Sequence, residues 1–186
     1  MSASLIILLF ASWLVPPAAA LAGPETQSNS LGAPGCGPAS IKFDVETDRN
    51  QHAAPNPEPG KALLVLLQDD SRFGAKPRPT TRFGLDGAWV GATHANSYFY
   101  VPIDPGEHHL CASWQLREIV NPHARPTAAA HFTAEAGKIY YFRARDVFIF
   151  GSTGATGPDV ELEPLDSDEA PILLRSFAFS SSHAKN

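Results

Sequence analysis

Short stretches of alternating apolar and polar residues, each ended by a tight turn, restrict what this chain can fold into more than any other feature. Asp86-Gly87 separates residues 80–85 from residues 88–92, both rich in strand-forming side chains. Asp-Gly in that setting marks a two-residue hairpin, because a type I′ turn needs positive φ at both central positions. Asp104-Pro105-Gly106-Glu107 follows residues 97–103; proline presets φ and glycine takes the left-handed position. Glu135-Ala136-Gly137-Lys138 repeats the device between 128–134 and 139–145. Further strands are expected at 41–45, which alternates, at 108–115, and at 159–165. Residues 62–67, ALLVLL, are apolar without interruption, so this strand should be covered on both faces.

This pattern predicts a mainly β fold: an antiparallel β-sandwich of about seven to nine short strands with one short C-terminal helix. The helix is expected after Asp166-Ser167-Asp168-Glu169, whose carboxylates suit the positive end of a helix. Its buried stripe would be Ile172, Leu173, Leu174 and Phe177, with Pro171 tolerated only in the first turn. The expected organisation is a flexible leader at 23–40, a single domain at 41–177 and a disordered tail at 178–186. Residues 50–60, NQHAAPNPEPG, read as a proline-rich linker, residues 69–79 as a charged loop, 118–127 as a break, and 151–158, GSTGATGP, as a loop.

Residues 1–22 read as an export signal. An eleven-residue, largely apolar run at 5–15 is followed by Pro16-Pro17 and by Ala20-Leu21-Ala22, a small-x-small cleavage pattern that would leave Gly23 as the first residue. The run is shorter than the ~20 apolar residues that span a bilayer, so the mature chain should carry no integral membrane span. No Lys or Arg precedes it. Export places the two cysteines in an oxidising compartment, where Cys36 and Cys111 would pair. The loop so closed contributes roughly 4 kcal/mol by the chain-entropy estimate. The net charge of −5 argues against nucleic acid as a partner.

The dipeptide His108-His109, two residues before Cys111, raises the question of a metal or redox centre. On a strand, Leu110, Ala112 and Trp114 share one face and His109, Cys111, Ser113 and Gln115 the other. His108 and His109 therefore diverge. A three-ligand site would need His109 and Cys111 with His94 or His131, and a disulfide removes the thiolate that a metal needs. The expectation is no cofactor and no metal, with His94, His109 and His131 as the weak candidates. If Cys111 bonds Cys36, the N-terminal segment is tied across the face away from Leu110 and Trp114.

No G-x-S-x-G, H-E-x-x-H or P-loop lysine occurs, so no catalytic residues are assigned. Asp69-Asp70 with Asp86 could be set out as a carboxylate pair; strand-end and turn positions account for them better. Arg72, Lys76, Arg78 and Arg82 form a basic stretch on an acidic chain and are the candidate partner-binding patch. Tyr98, Tyr100 and Tyr141 are expected to pack between sheets.

Residues 60–145 resemble the DUF2846 family of bacterial exported and lipid-anchored proteins. The similar elements are Gly60-Lys61-Ala62, Leu85-Asp86-Gly87, Ser97-Tyr98-Phe99-Tyr100, Pro105-Gly106-Glu107-His108 and Ala136-Gly137-Lys138 with Tyr140-Tyr141. The order is also similar to PEGA-like and transthyretin-like β-sandwiches. The resemblance implies a β fold outside the cytoplasm, in the periplasm or at the cell surface, and no catalytic residues. The lipid-anchored members' cysteine is missing here. The resulting expectation is an exported non-enzymatic module acting on an unknown protein or envelope component. The rival is an extracellular enzyme or carrier of a small ligand or metal, with a site built from His94, His108, His109 and Asp104.

Overall fold

The computed structural model describes residues 35–50, 54–115, 126–151, 154–155 and 158–185. The export signal, most of the expected leader, most of the break at 118–127 and part of the 151–158 loop lie outside the described residues.

Among the described residues, twelve strands and one helix follow one another: β1 (Phe43–Asp48), β2 (Ala62–Phe73), β3 (Thr80–Leu85), β4 (Ala88–His94), β5 (Ser97–Ile103), β6 (Gly106–Gln115), β7 (Thr127–Ala134), β8 (Ile139–Phe148), β9 (Phe150–Gly151), β10 (Gly154–Ala155), β11 (Asp159–Leu165), α1 (Ala170–Leu174) and β12 (Ala178–Ala184). They form a six-stranded sheet ordered β1-β12-β5-β2-β8-β11, a four-stranded sheet ordered β4-β3-β6-β7, and a two-stranded β9–β10 ribbon. The fold is mainly β, as expected, with more strands than the turn count suggested.

The six-stranded sheet is mixed rather than purely antiparallel. β2 runs parallel to β8 and β12 parallel to β5. The chain leaves β2, builds the whole four-stranded sheet and β5, and returns to lay β8 alongside β2. No turn signal can report such a pairing, because parallel neighbours are joined by long crossovers rather than tight bends.

Alternation along β2 sets two cores. Ala62, Leu64 and Leu66 enter a cluster shared by both larger sheets, with Phe83, Phe99, Leu110, Ala112, Trp114 and Phe142. Leu63, Val65 and Leu67 face the opposite way, into a second cluster with Tyr98, Leu165, Ala170, Leu174 and Phe177. The ALLVLL run is uninterrupted because this strand is central and covered on both sides.

Several local expectations change. The strand does not end at Leu67: β2 continues to Phe73, and Gln68, Asp69 and Asp70 are buried, so the charged loop starts only after Phe73. In α1, Ala170 and Leu174 are buried and Pro171 sits in the first turn, while Ile172 is 68 % exposed and leaves the predicted stripe. The predicted tail is the strand β12, paired with β1 along its length and with β5 at its start. Its inward positions include serines, which hide its amphipathic character: Ser180 Oγ meets Ser97 Oγ at 2.7 Å, and Ser182 Oγ accepts the Ala92 N–H at 3.0 Å. Of the expected leader, residues 35–40 pack on the four-stranded sheet.

Candidate functional site

The most unusual chemistry lies in the interior, at positions that read as loop and strand end. Gln68 and Asp70 of β2 point to the same side as Leu64 and Leu66, and Asp146 of β8 points with Phe142 and Ala144. Gln68 and Asp146 are wholly buried and Asp70 nearly so. The Gln68 Nε2 group donates to Asp70 Oδ1 at 2.8 Å, to Asp146 Oδ2 at 2.7 Å and to the Pro79 carbonyl at 3.0 Å. Trp114 Nε1–H donates to Asp146 Oδ1 at 2.6 Å, and the Thr81 hydroxyl approaches the same carboxyl at 3.1 Å. The Thr93 hydroxyl donates to Gln68 Oε1 at 2.8 Å. Arg78 reaches Asp70 Oδ2 at 3.3 Å from the partly exposed side.

Burial, and then the Asp70 carboxylate beside it, push the Asp146 pKa up to about 9, against the pull of the Trp114 and Thr81 donors. Asp146 is therefore held as the neutral acid at pH 7. The network ties five strands, β2, β3, β4, β6 and β8, through buried groups. Such a cluster specifies alignment.

A second polar constellation joins two turns. Asp86 (φ 51°) and Gly87 (φ 85°) form the predicted hairpin bend. The Asp86 carboxylate accepts the His109 N–H at 2.8 Å and faces His108 Nδ1 at 2.7 Å. His108 Nε2 faces the Asp104 carbonyl at 2.8 Å, and its ring lies against Phe132. Both ring nitrogens meet acceptors, which favours imidazolium. Burial pulls the His108 pKa down, but the Asp104 carbonyl and the Asp86 carboxylate outweigh it and raise it. Of the rival site, the structure brings His108 and the Asp104 carbonyl together. The Asp104 carboxylate turns to Lys61, 2.6 Å away. His94 lies at the far end of the four-stranded sheet, where Thr80 pairs with it and with Gln115. His109 and His131 are directly opposed on β6 and β7. Among the described residues no group of three or more ligating side chains converges.

The four basic candidates do not share a surface. Arg82 is 3 % exposed, donates to the Ile41 carbonyl at 2.6 Å and stacks 4.2 Å above the Trp89 ring on the outside of the four-stranded sheet. Arg72 pairs with Glu161 at 3.9 Å on the outside of the other sheet, and Arg78 is committed to Asp70. Lys76 is exposed. A charged ladder unpredicted from sequence covers that second outer face: Arg143 pairs with Glu163 and Glu169, and Arg145 with Asp69 and Glu163. Tyr98, Tyr100 and Tyr141 pack on this same outer side, beside α1 rather than between sheets.

Cys36 and Cys111 form a disulfide with Cα atoms 5.1 Å apart. It holds residues 35–41 as a strap over β3, β4 and β6, on the face predicted by the alternation around Cys111. The Trp89 indole N–H donates to the Pro38 carbonyl at 2.8 Å, and the Gly87 N–H to the Gly35 carbonyl at 3.3 Å. The fit requires glycine in three places: a Cβ on Gly84 would stand 2.5 Å from the Gly35 carbonyl oxygen, one on Gly37 2.5 Å from the Trp89 ring, and one on Gly35 (φ 86°) 2.7 Å from the His109 carbonyl oxygen. No helix among the described residues is long and apolar enough to cross a membrane. Comparison of the chain with protein-family models, curated proteins and solved structures returns no match.

Proposed function

We propose that this chain is an exported, non-enzymatic β-sandwich that serves as an interaction or structural module of the cell envelope or cell surface, as its resemblance to the DUF2846 family implies. The observation that carries the reading is the Cys36–Cys111 strap. A bond that fixes the N-terminal segment across a sheet persists in an oxidising compartment and is lost in the cytosol. The buried acid network fits a structural role, since its members are hydrogen-bonded to one another across several strands. A docking edge is offered by β7, which pairs only with β6 among the described residues. Its outward side chains, Thr127, Ala129, His131 and Thr133, are exposed and mostly small, which suits addition of a partner strand.

Intact mass under non-reducing conditions, taken on the fraction outside the cytoplasm, tests the export half: a chain starting at Gly23 and lighter by the two hydrogens of one disulfide is expected. A full-length cytosolic chain with two thiols overturns it. A photo-crosslinker at Thr133 should capture an envelope component that the same group at Asp44 does not. Equal capture from both positions, or none, removes the β7 edge as the docking surface.

A further inference from the structure

We propose that His109 and His131, with Glu107 as a third ligand, form a surface site for a divalent late transition-metal ion, Cu2+ binding best. The three residues lie on one face of the β6–β7 pair. His109 is directly opposite His131 and Glu107 is opposite Thr133. Glu107, His109 and His131 are all exposed. Directly opposed residues on antiparallel strands hold their Cβ atoms about 4.5–5.5 Å apart on the same side of the sheet. Two imidazoles so placed can both reach an ion lying between them, given metal–nitrogen distances of about 2.0–2.1 Å. Glu107 lies two residues from His109, about 7 Å along the strand, within the reach of its side chain.

The surroundings separate this pair from scattered histidines. His108 faces inward and is engaged by Asp86 and the Asp104 carbonyl, so it does not compete for the ion. Asp86 accepts the His109 N–H and places a carboxylate charge beside the site. The disulfide at Cys111 anchors β6 two residues further along the same face, which fixes one ligand before the ion arrives. Thr133 and Ala129 flank His131 with small side chains and leave the ion open to water. As the side chains stand, three ligands do not converge; the exposed His109, His131 and Glu107 side chains turn toward the ion as it binds. Two imidazoles and a carboxylate suit Cu2+, Ni2+ and Zn2+, and among divalent ions of this row copper binds most tightly. Cys111 contributes no ligand, since its sulfur is bonded to Cys36.

The test is titration of the untagged protein, disulfide intact and without thiol reductant, with Cu2+ and separately with Zn2+. Calorimetry reports affinity and electron paramagnetic resonance reports the nitrogens on copper. The expected result is one tight Cu2+ site with two imidazole nitrogens. His109→Gln and His131→Gln should each weaken it by roughly 100-fold, because the second imidazole then no longer binds intramolecularly. Glu107→Gln should weaken it less, and His183→Gln, at an exposed histidine of the other sheet, should leave it unchanged. Thermal midpoints of the metal-free variants should match the parent, since both rings are at the surface. Copper bound through fewer than two nitrogens overturns the proposal. So does equal affinity in the parent and the two histidine variants, or an equal loss in His183→Gln.

Discussion

Asp146 shows how one residue can carry a stability signature that its local sequence conceals. Its carboxyl is neutral in the folded chain, with a pKa raised to about 9 from an ordinary value of 3.8. Between those values the unfolded chain has released a proton that the folded chain retains. Stability contributed by this group is therefore complete below about pH 4 and falls as pH rises through the window, by at most about 1.4 kcal/mol per pH unit. It levels off above pH 9. Asp146→Asn removes the titration but sets an amide N–H2 against the Gln68 amide, costing about 1–2 kcal/mol at pH 5. The variant should be less stable than the parent at pH 5, and the gap should close or reverse at pH 9. Urea denaturation at the two pH values checks this; a gap that is constant with pH contradicts it. None of this was readable from Gln68-Asp69-Asp70, which looks like a polar loop after an apolar strand. Asp70 and Asp146 are brought together only by the parallel register of β2 and β8, a pairing that leaves no mark on either segment.

The elements bounded by tight turns were the readable ones, because the chemistry of a turn is local. Asp86-Gly87 and Pro105-Gly106 reverse the chain where expected, and His108 fastens the two bends together. Asp86→Asn keeps a residue that tolerates positive φ but removes the carboxylate facing His108. The raised His108 pKa contributes stability that is present below its unfolded value near 6.5 and is lost as pH rises past the folded value. Asp86→Asn should therefore cost about 1–2 kcal/mol at pH 5.5 and less at pH 9, measured by urea denaturation; equal costs at both would assign the loss to the backbone bond from His109 alone. The strap was also readable, from two cysteines and strand alternation, although its contacts were not. Replacing Cys36 by Ser should cost about 4 kcal/mol by the loop-entropy estimate. Release of the segment should also shift Trp89 fluorescence toward that of a hydrated indole. A stability loss without any change at Trp89 would mean that the strap stays seated by its hydrogen bonds. β12 escaped notice because its buried positions include serines, whose partners lie on other strands.

For the molecule as a whole, the two ends of the described chain complete each other. β1 pairs only with β12 among the described residues, and β12 connects β1 to β5 and thence to the central β2. Phe179 of β12 packs against Tyr98 and Tyr100, and Ser182 bonds to Ala92 of the four-stranded sheet. The last described strand is thus the one that attaches β1 and ties one sheet to the other. Ending the chain at Phe177 should remove far more than a tail. It strips β1 of its ladder, leaves Ser97 without its Ser180 partner and uncovers Tyr98; losing the Phe179 ring alone would cost about 3 kcal/mol. The truncated chain should unfold at markedly lower urea concentration than the parent, with hydrogen exchange accelerated first in residues 43–48. Phe179→Ala separates packing from pairing: it should lower stability while leaving protection in β1 above that of the truncated chain. If truncation left the urea midpoint unchanged, β12 would be an accessory to the fold, and the joining of the sheets would rest on the buried network of Gln68, Asp70 and Asp146.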